Sequence, residues 1–324
     1  MDMFPSAKEV CDAHQRINLY VHKTPVLTSR SIDELAGASL FFKCENMQRG
    51  GAFKARGAFN ASLQLSTEEL AKGVATHSSG NHATALSLAA RTLGIPAYIV
   101  MPSNSKRIKI ASVEAFGGKI TFCEPTLQAR ESTLEEIVQK TGAVFIPPYD
   151  DYRIIAGQAT AAKELIEETD NLDAIIAPVG GGGLLSGTAL SVKYFAEGCV
   201  AYAAEPAGAD DAWRSLKAGK IIPSINPVTI SDGLLTSLGT RNFPIIQELV
   251  SEIIRVEESE IISAMRLLWE RLKIVVEPSS ATVLAAVLKS KDLFEGKKTG
   301  LILSGGNVDL SEMKNYFWPL PHKS

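Results

Sequence analysis

The stretch Ala174-Ile175-Ile176-Ala177-Pro178-Val179 is followed directly by Gly180-Gly181-Gly182-Gly183-Leu184. Its first half is continuously apolar, which is typical of a β-strand buried on both faces of a sheet. Its second half places four glycines before an amphipathic segment at 184–196. Glycines let an anion approach the backbone closely, and a helix start offers unpaired N–H groups. The stretch therefore predicts a phosphate site in an α/β fold, with a tight, crowded turn as the alternative.

Short apolar strands alternate with amphipathic helices along most of the chain. The predicted strands are 40–44, 74–77, 97–101, 119–123, 143–146, 174–179, 200–205 and 300–304. The predicted helices include 82–93, 153–169, 184–196 and 257–272. Such alternation requires crossover connections, and it indicates a mostly parallel sheet with helices on both faces.

The domain organisation is predicted from the spacing of these units. No linker rich in glycine or serine divides the chain, so two domains would have to be interwoven. Three compact strand–helix units fall between 73 and 145. We therefore expect a small domain at 73–145 and a large domain built from 1–72 and 146–324.

Composition and charge exclude several classes of function. Of 324 residues, 33 are basic and 36 acidic, and 33 − 36 gives a net charge of −3, so no basic field attracts nucleic acid or an anionic membrane. No stretch approaches the roughly 18 apolar residues of a membrane helix. The N-terminus lacks the features of a signal peptide, and the four scattered cysteines fit reduced thiols. We expect a cytoplasmic protein without nucleic-acid or membrane partners.

Two further loops come after predicted strands and carry polar groups. Ser78-Ser79-Gly80-Asn81-His82 follows 74–77 and forms a cradle for a carboxylate, unless it is only a helix cap. Ser304-Gly305-Gly306-Asn307 follows the apolar run 301–303, where little steric bulk would allow contact with a flat ligand, unless it is an ordinary loop. Ligands in open α/β sheets bind at these carboxyl ends of strands.

A lysine and a pair of acids stand out elsewhere. Lys54 lies among small residues in Gly50-Gly51-Ala52-Phe53-Lys54-Ala55-Arg56-Gly57-Ala58, and a desolvated lysine has a lowered pKa and can form a Schiff base. Glu205 ends a predicted strand, and Asp211 comes six residues later. Two carboxylates with a backbone carbonyl and waters form a hard-oxygen set suited to Mg²⁺ or Ca²⁺. Solvated loop charges are the alternative.

Taken together and in this order, the lysine segment and the three loops resemble the fold-type II pyridoxal phosphate enzymes, the family of the tryptophan synthase β-subunit. Within it, the chain is similar to eukaryotic serine racemases and serine/threonine dehydratases. The match runs from Thr24-Pro25-Val26-Leu27-Thr28 to Asn307-Val308-Asp309-Leu310. The resemblance implies two interwoven open α/β domains with mostly parallel sheets, and pyridoxal 5'-phosphate as the cofactor.

The activity implied by the resemblance is interconversion of L- and D-serine, accompanied by dehydration of serine to pyruvate and ammonia. The alternative is a dehydratase only, acting on L-serine, L-threonine or 3-hydroxyaspartate. A non-catalytic binding protein on this fold is a third reading, and Lys54 speaks against it. A serine facing the ring nitrogen cannot supply the negative charge that keeps it protonated, which disfavours transamination.

The resemblance also assigns site residues. Lys54 matches the lysine that holds the cofactor, and Ser304 matches the serine that faces its ring nitrogen. The remaining cofactor-binding residues implied are Phe53, Asn81, Gly180, Gly181, Gly182, Gly183, Leu184, Gly233 and Glu277. The substrate-binding residues implied are Ser78, Ser79, Gly80, Asn81, His82 and Arg130. Residues 101–109 depart from the racemase pattern, because the second proline and the cysteine common in that loop are missing.

Three further properties are implied by the resemblance to eukaryotic serine racemases. A divalent cation, Mg²⁺, Ca²⁺ or Mn²⁺, is expected on Glu205, the carbonyl of Ala209 and Asp211. ATP is expected as an activator at a subunit interface, with Lys273 and Asn307 at matching positions. A homodimer is expected as well.

Ser79 is the residue expected to separate a racemase from a dehydratase. Racemisation removes the Cα proton from one face of the substrate and returns a proton to the other face. Lys54 can serve only the face that its amine approaches, so a second acid/base is required. The resemblance places the Ser79 hydroxyl there, whereas a residue that only caps the following helix is the alternative.

Overall fold

The computed structural model describes residues 4–317, and its strands form two sheets. The strands are β1 (Val26–Leu27), β2 (Ser39–Cys44), β3 (Val74–His77), β4 (Ala97–Pro102), β5 (Lys119–Cys123), β6 (Val144–Phe145), β7 (Ala174–Pro178), β8 (Val200–Pro206), β9 (Val250–Val256) and β10 (Lys298–Leu303). One sheet has the order β1-β2-β10-β7-β8-β9, and the other has the order β5-β4-β3-β6. Of these strands, only β1 is antiparallel to its neighbour. The predicted fold of two open, mostly parallel sheets is confirmed.

Helices cover both sheets. They are α1 (Ala7–Ile17), α2 (Arg30–Ala36), α3 (Lys54–Ser62), α4 (Thr67–Lys72), α5 (Asn81–Leu93), α6 (Arg107–Ala115), α7 (Leu127–Thr141), α8 (Tyr152–Glu168), α9 (Gly183–Phe195), α10 (Asp211–Ala218), α11 (Asn242–Leu249), α12 (Glu258–Leu267), α13 (Pro278–Lys289), α14 (Lys291–Phe294) and α15 (Met313–Phe317). Short 3₁₀ turns occupy Glu45–Met47, Arg49–Gly51, Ala207–Ala209, Asp232–Leu234 and Leu310–Glu312. Between residues 4 and 317, no helix is both long and apolar enough to cross a bilayer.

The core lies on the two faces of each sheet. On the six-stranded sheet, α2, α12 and α13 pack on one face, and α8, α9 and α11 pack on the other. The central strand β7 is buried along its whole length, as its continuous apolar run predicts. On the four-stranded sheet, Val74 packs with α3 and α5, whereas Ala75 packs with α7 on the opposite face.

Three elements differ from the sequence-based expectation. The two edge strands β1 and β9 are not predicted, because β1 has two residues and β9 buries its side chains without regular alternation. The helix predicted at 257–272 is α-helical only over α12, which ends at Leu267. The next five residues, Leu268–Leu272, form a π-helical segment. Edge strands pair on one side only, so packing constrains their sequence least.

A buried ion network fixes α3, the helix that begins at Lys54. Arg56 is fully buried, and its guanidinium donates to both carboxylate oxygens of Glu45 and both of Glu164, at 2.7–2.8 Å. Lys43, also fully buried, lies 2.8 Å from Glu164. Although burial acts to raise it, the pKa of Glu164 is held below its usual value by Arg56. The network joins β2, α3 and α8 at one point.

Replacing Arg56 with leucine should destabilise the protein strongly. The variant leaves two buried carboxylates with only part of their compensation, and breaking a buried pair in this way costs about 3–5 kcal/mol. Urea unfolding of the two proteins measures the difference. As a control, Arg266→Leu removes the exposed pair with Glu270, which water already screens, and should change the midpoint little. If the two variants lowered the urea midpoint equally, the buried network of Arg56 would not be the stabilising contact that we infer.

Candidate active site

The loops after β10 and before α3 are joined by backbone hydrogen bonds. Ala52 forms an antiparallel bridge with Gly305, and the Phe53 N–H donates to the Ser304 carbonyl at 2.9 Å. The Gly306 N–H donates to the Gly51 carbonyl, also at 2.9 Å. Two segments far apart in sequence therefore form one surface at the carboxyl edge of the large sheet.

Lys54 is the first residue of α3, and it is half-buried. Its Nζ donates to the Pro148 carbonyl at 2.8 Å and lies 4.9 Å from the centroid of the Phe53 ring. Burial lowers the pKa of Lys54 from 10.5 to about 8, against the opposing effect of the Glu277 carboxylate. An amine with this pKa is neutral in an appreciable fraction of molecules near neutral pH, and only the neutral amine is a nucleophile or base.

Asn81, Glu277 and Asn307 form a polar chain near Lys54. Asn81 Nδ2 lies 2.9 and 3.2 Å from the two oxygens of Glu277, and Asn81 Oδ1 accepts from Asn307 Nδ2 at 2.9 Å. Asn307 Nδ2 also donates to the Gly50 carbonyl. Burial, followed by the charge of Asp232, raises the pKa of Glu277 to about 7. Asn307 thus contacts the predicted cofactor residues directly, although the resemblance relates it to a nucleotide.

Ser304 directly follows β10, and its side chain is buried. Its Oγ lies 3.0 Å from Ser280 Oγ, and Ser280 in turn bonds the backbone of Gly305. Ser280 belongs to the first turn of α13, shortly after Glu277 and Pro278. The sequence-based reasoning gives no role to Ser280.

The glycine loop lies between β7 and α9 with its N–H groups unused. Among the described residues, none of the backbone N–H groups of residues 180–184 donates to a protein acceptor. Gly182 has φ of +94°, and a Cβ at Gly181 would lie 2.4 Å from the Tyr149 ring. A Cβ at Gly180 would lie 2.9 Å from Leu234 Cα, directly after Gly233. Side chains are excluded here, which leaves a backbone cradle suited to a phosphate.

The loop 78–82 connects β3 to α5. The helix is capped by Gly80 without a side-chain hydrogen bond, so the interpretation of this loop as a plain side-chain cap is wrong. Ser78 Oγ accepts from the Gly80 N–H at 3.3 Å. In the part of the chain that is described, Ser79 Oγ is half-buried and makes no hydrogen bond.

His82 is buried and neutral. Its Nε2 donates to the Ile146 carbonyl at 3.0 Å, and burial lowers its pKa to about 3. Its other ring nitrogen, Nδ1, has no partner within residues 4–317. Arg130, on α7, is half-buried, and its charge affects the pKa values of His77 and Tyr149. Arg130 therefore lies near His77, the last residue of β3, and its Nε donates to the Thr126 carbonyl at 3.3 Å.

The predicted cation ligands lie together at the end of β8. Glu205 Oε1 and Oε2 accept from the Ala212 and Trp213 N–H groups, each at 2.8 Å, and Asp211 Oδ2 accepts from the Leu238 N–H. Burial raises the pKa of Glu205 to about 9 and that of Asp211 to about 6. Asp211 Oδ1 is buried without a partner among the described residues. Within that part of the chain, no group of three or more His, Cys, Asp or Glu side chains could hold a metal.

Lys273, the other residue predicted to bind a nucleotide, has a different local environment. It is exposed, and it adopts φ of +59° directly after the π-helical segment. It shares no hydrogen bond with Asn307 in the region described.

The arrangement fits pyridoxal phosphate. An amine of lowered pKa, a cradle of free N–H groups and a buried hydroxyl at the end of β10 are the groups that this cofactor requires. The fold and site fit an enzyme that uses pyridoxal phosphate, with Lys54 as the candidate amine.

Comparison with known proteins agrees with this class. The model of the family "Pyridoxal-phosphate dependent enzyme" matches residues 17–305, and the chain belongs to that family. A serine racemase from Dictyostelium discoideum is 51% identical over 94% of this chain and 96% of its own. A beta-hydroxyaspartate dehydratase from Paracoccus denitrificans is 50% identical over 95% of this chain and 98% of its own. The structure of maize serine racemase superposes with a TM-score of 0.93, at 45% identity over 95% of each chain.

Three neighbours of the site are missed by sequence reasoning. Pro148 and Tyr149 come shortly after the strand predicted at 143–146, so their place at a strand's carboxyl end is a signal that could have identified them. Ser280 carries no such signal, because a serine in the first turn of a helix is common. Only the packing of α13 against β10 brings it to Ser304.

The rate at which the apo-protein binds pyridoxal phosphate should follow the titration of Lys54. Because the neutral amine reacts, the rate should rise about tenfold per pH unit below pH 8 and level off above it. Stopped-flow absorbance from pH 6 to pH 10 measures this, with N-acetyl-lysine as a control for titration of the cofactor. A rate that still rises about tenfold per pH unit up to pH 10, as for a lysine with the ordinary pKa of 10.5, would contradict the lowered pKa of Lys54.

Proposed function

We propose that this protein is a pyridoxal-phosphate-dependent serine racemase that also eliminates water from serine, releasing pyruvate and ammonia. The observation that carries racemisation is the Ser79 hydroxyl, which caps no helix and has no protein partner among the described residues. The names of the Dictyostelium and maize relatives support serine as the substrate. A non-catalytic family member that only binds amino acids would have no use for an amine like that of Lys54.

The chain's own residues divide the work. Pyridoxal phosphate, when bound, withdraws electrons from the substrate Cα and thereby acidifies its proton. Lys54, whose pKa is lowered by desolvation, accepts or returns that proton on one face. Ser79 does so on the other face, and the loop 78–82 with Arg130 binds the substrate carboxylate. The N–H groups of 180–184 hold the phosphate, and Phe53, Asn81, Gly233, Glu277 and Ser304 hold the ring.

The second candidate is elimination alone from 3-hydroxyaspartate. It is supported by the name of the Paracoccus relative and by the half-buried residue Arg130, whose positive charge suits a second carboxylate. A chiral assay with serine, threonine, aspartate and 3-hydroxyaspartate tests both candidates. Formation of D-serine from L-serine supports the first, whereas turnover of 3-hydroxyaspartate without any racemisation would replace it with the second.

Ser79→Ala should remove racemisation while dehydration of L-serine survives. A positioned acid/base typically contributes about 10²–10⁴ in rate, which is roughly 2.7–5.4 kcal/mol of barrier at 1.36 kcal/mol per tenfold. Dehydration of D-serine should fall together with racemisation, because both need the same face. Chiral chromatography and a pyruvate assay measure the two reactions separately.

Two controls accompany this variant. Ser103→Ala removes an exposed serine directly after the neighbouring strand β4 and should leave both reactions unchanged. Lys54→Ala should abolish both. If Ser79→Ala reduces both L-serine reactions equally, Ser79 is a binding or folding residue, and the two-base proposal is wrong.

We also propose a divalent cation, Mg²⁺, Ca²⁺ or Mn²⁺, on Glu205, the Ala209 carbonyl and Asp211. The unpartnered oxygen of Asp211 supports this, since a buried carboxylate oxygen without a donor is costly. Two carboxylates and a carbonyl are hard ligands that suit these ions.

Adding Mg²⁺ after EDTA should raise the melting temperature, because an ion that binds only the folded state stabilises it, by about 2.7 kcal/mol at 100 times its Kd. Asp211→Asn should lose this response. Asp210→Asn is the matched control, because its carboxylate pairs with Arg214 and Arg255 instead. No response of the wild type to Mg²⁺, or an equal loss in both variants, would count against the site.

Four further properties remain proposals. The first is that ATP acts as an activator through Lys273 and Asn307. Titration of Mg·ATP during turnover tests this, and a turnover rate that does not change with ATP concentration would rule it out. The protein forms a homodimer, for which sedimentation is the test. Its domains are 73–145 and 1–72 with 146–324, and the separation of the two sheets supports that division. A cytoplasmic location stays a prediction from the sequence.

A further inference from the structure

Ser280 lies between Ser304 and the backbone of the next residue. Its hydroxyl accepts from the Gly305 N–H at 2.7 Å, lies 2.6 Å from the Gly305 carbonyl and lies 3.0 Å from Ser304 Oγ. Ser280 is fully buried and Ser304 is 3% exposed, so water does not compete for these contacts. The hydroxyl has one hydrogen, and two acceptors face it.

The count of hydrogens allows two arrangements. In the first, Ser280 donates to the Gly305 carbonyl, and Ser304 donates to Ser280. In the second, Ser280 donates to Ser304, which frees the Ser304 hydrogen for a different acceptor. The Gly305 carbonyl keeps a partner in both, because the Glu277 N–H donates to it at 3.0 Å. Without a ligand, the first arrangement leaves no buried group unpaired, whereas the second leaves only the Ser304 hydrogen without an acceptor, so an acceptor on a bound ligand favours the second.

We propose that Ser280 is a positioning residue that turns the Ser304 hydroxyl, so that Ser304 donates its hydrogen to the ring nitrogen of bound pyridoxal phosphate. This rests on the proposed position of Ser304 opposite that nitrogen. Without the cofactor, the first arrangement satisfies every group. With an unprotonated ring nitrogen present, the second gives that nitrogen a donor, while Ser304 still accepts from Ser280. Ser280 thereby supports a neutral ring.

The contact predicts a specific pattern of cofactor affinities. Ser280→Ala should weaken the binding of pyridoxal phosphate to the apo-protein roughly two- to tenfold, the range for one hydrogen bond. Ser304→Ala should also weaken it. Because Ser280 acts through Ser304, adding Ser280→Ala to Ser304→Ala should cause no further loss. Absorbance titration without substrate gives the Kd values, so the result is independent of which reaction the enzyme catalyses.

Control variants separate positioning from structure. Thr282→Val removes another fully buried hydroxyl of α13, whose one partner among residues 4–317 is the Ser279 carbonyl, and should leave the Kd unchanged. If Ser280→Ala does not fold, Ser280→Thr and Ser280→Val form a pair of equal volume. The first keeps the hydroxyl and should bind the cofactor more tightly than the second.

Two outcomes would overturn the proposal. The first is an unchanged Kd for pyridoxal phosphate, either as a wild-type value in Ser280→Ala or as equal values in Ser280→Thr and Ser280→Val. If the melting temperature of the apo-protein fell at the same time, Ser280 would be a purely structural residue. The other is a double variant whose loss equals the product of the two single losses, since Ser280 would then act independently of Ser304.

Discussion

The position of Lys54 depends on the buried charge of Arg56, two residues further along the same helix. A fully buried guanidinium is tolerated only when its donors are satisfied, and here Glu45 and Glu164 satisfy them from two other elements. The requirement ties the start of α3 to β2 and α8 at one point. Any shift of α3 that separated Arg56 from its partners would leave buried charges uncompensated, at a cost of about 3–5 kcal/mol. The helix therefore has little freedom to move. A reactive amine at its first position therefore has a defined location.

Backbone contacts complete the site from segments distant in sequence. The bridge between Ala52 and Gly305 joins the lysine loop to the end of β10, and the Glu277 N–H joins the start of α13 to the Gly305 carbonyl. The parallel order of the strands brings these loops to one edge, where each contributes one kind of group. The lysine supplies an amine, the glycines supply N–H groups, and the serine supplies a hydroxyl. These are the three kinds of group that a flat cofactor with a phosphate requires.

The electrostatics of the site arise from burial more than from paired charges. Desolvation lowers the pKa of Lys54 and raises that of Glu277, so each has more of its neutral form near neutral pH than it would in water. Asn81, which donates to Glu277 and accepts from Asn307, connects the start of α13 to the loop that follows β10. Such a site holds polar groups in place without a strong field, and this suits chemistry in which a proton leaves a carbon and returns.

The sequence by itself determined the fold class, because an unbroken apolar strand such as 174–179 can be satisfied only when both faces are covered. It also indicated Lys54, the four glycines and Ser304, because each lies beside a strand or a run of small residues in a chemically unusual way. It could not indicate Ser280 or the contact of Asn307 with Asn81, since these depend on distances between residues far apart along the chain. Local patterns specify which groups a loop carries. Only the packing of strands and helices decides which groups meet, because that depends on the register of β10 with β2 and β7 and on how α13 packs against them.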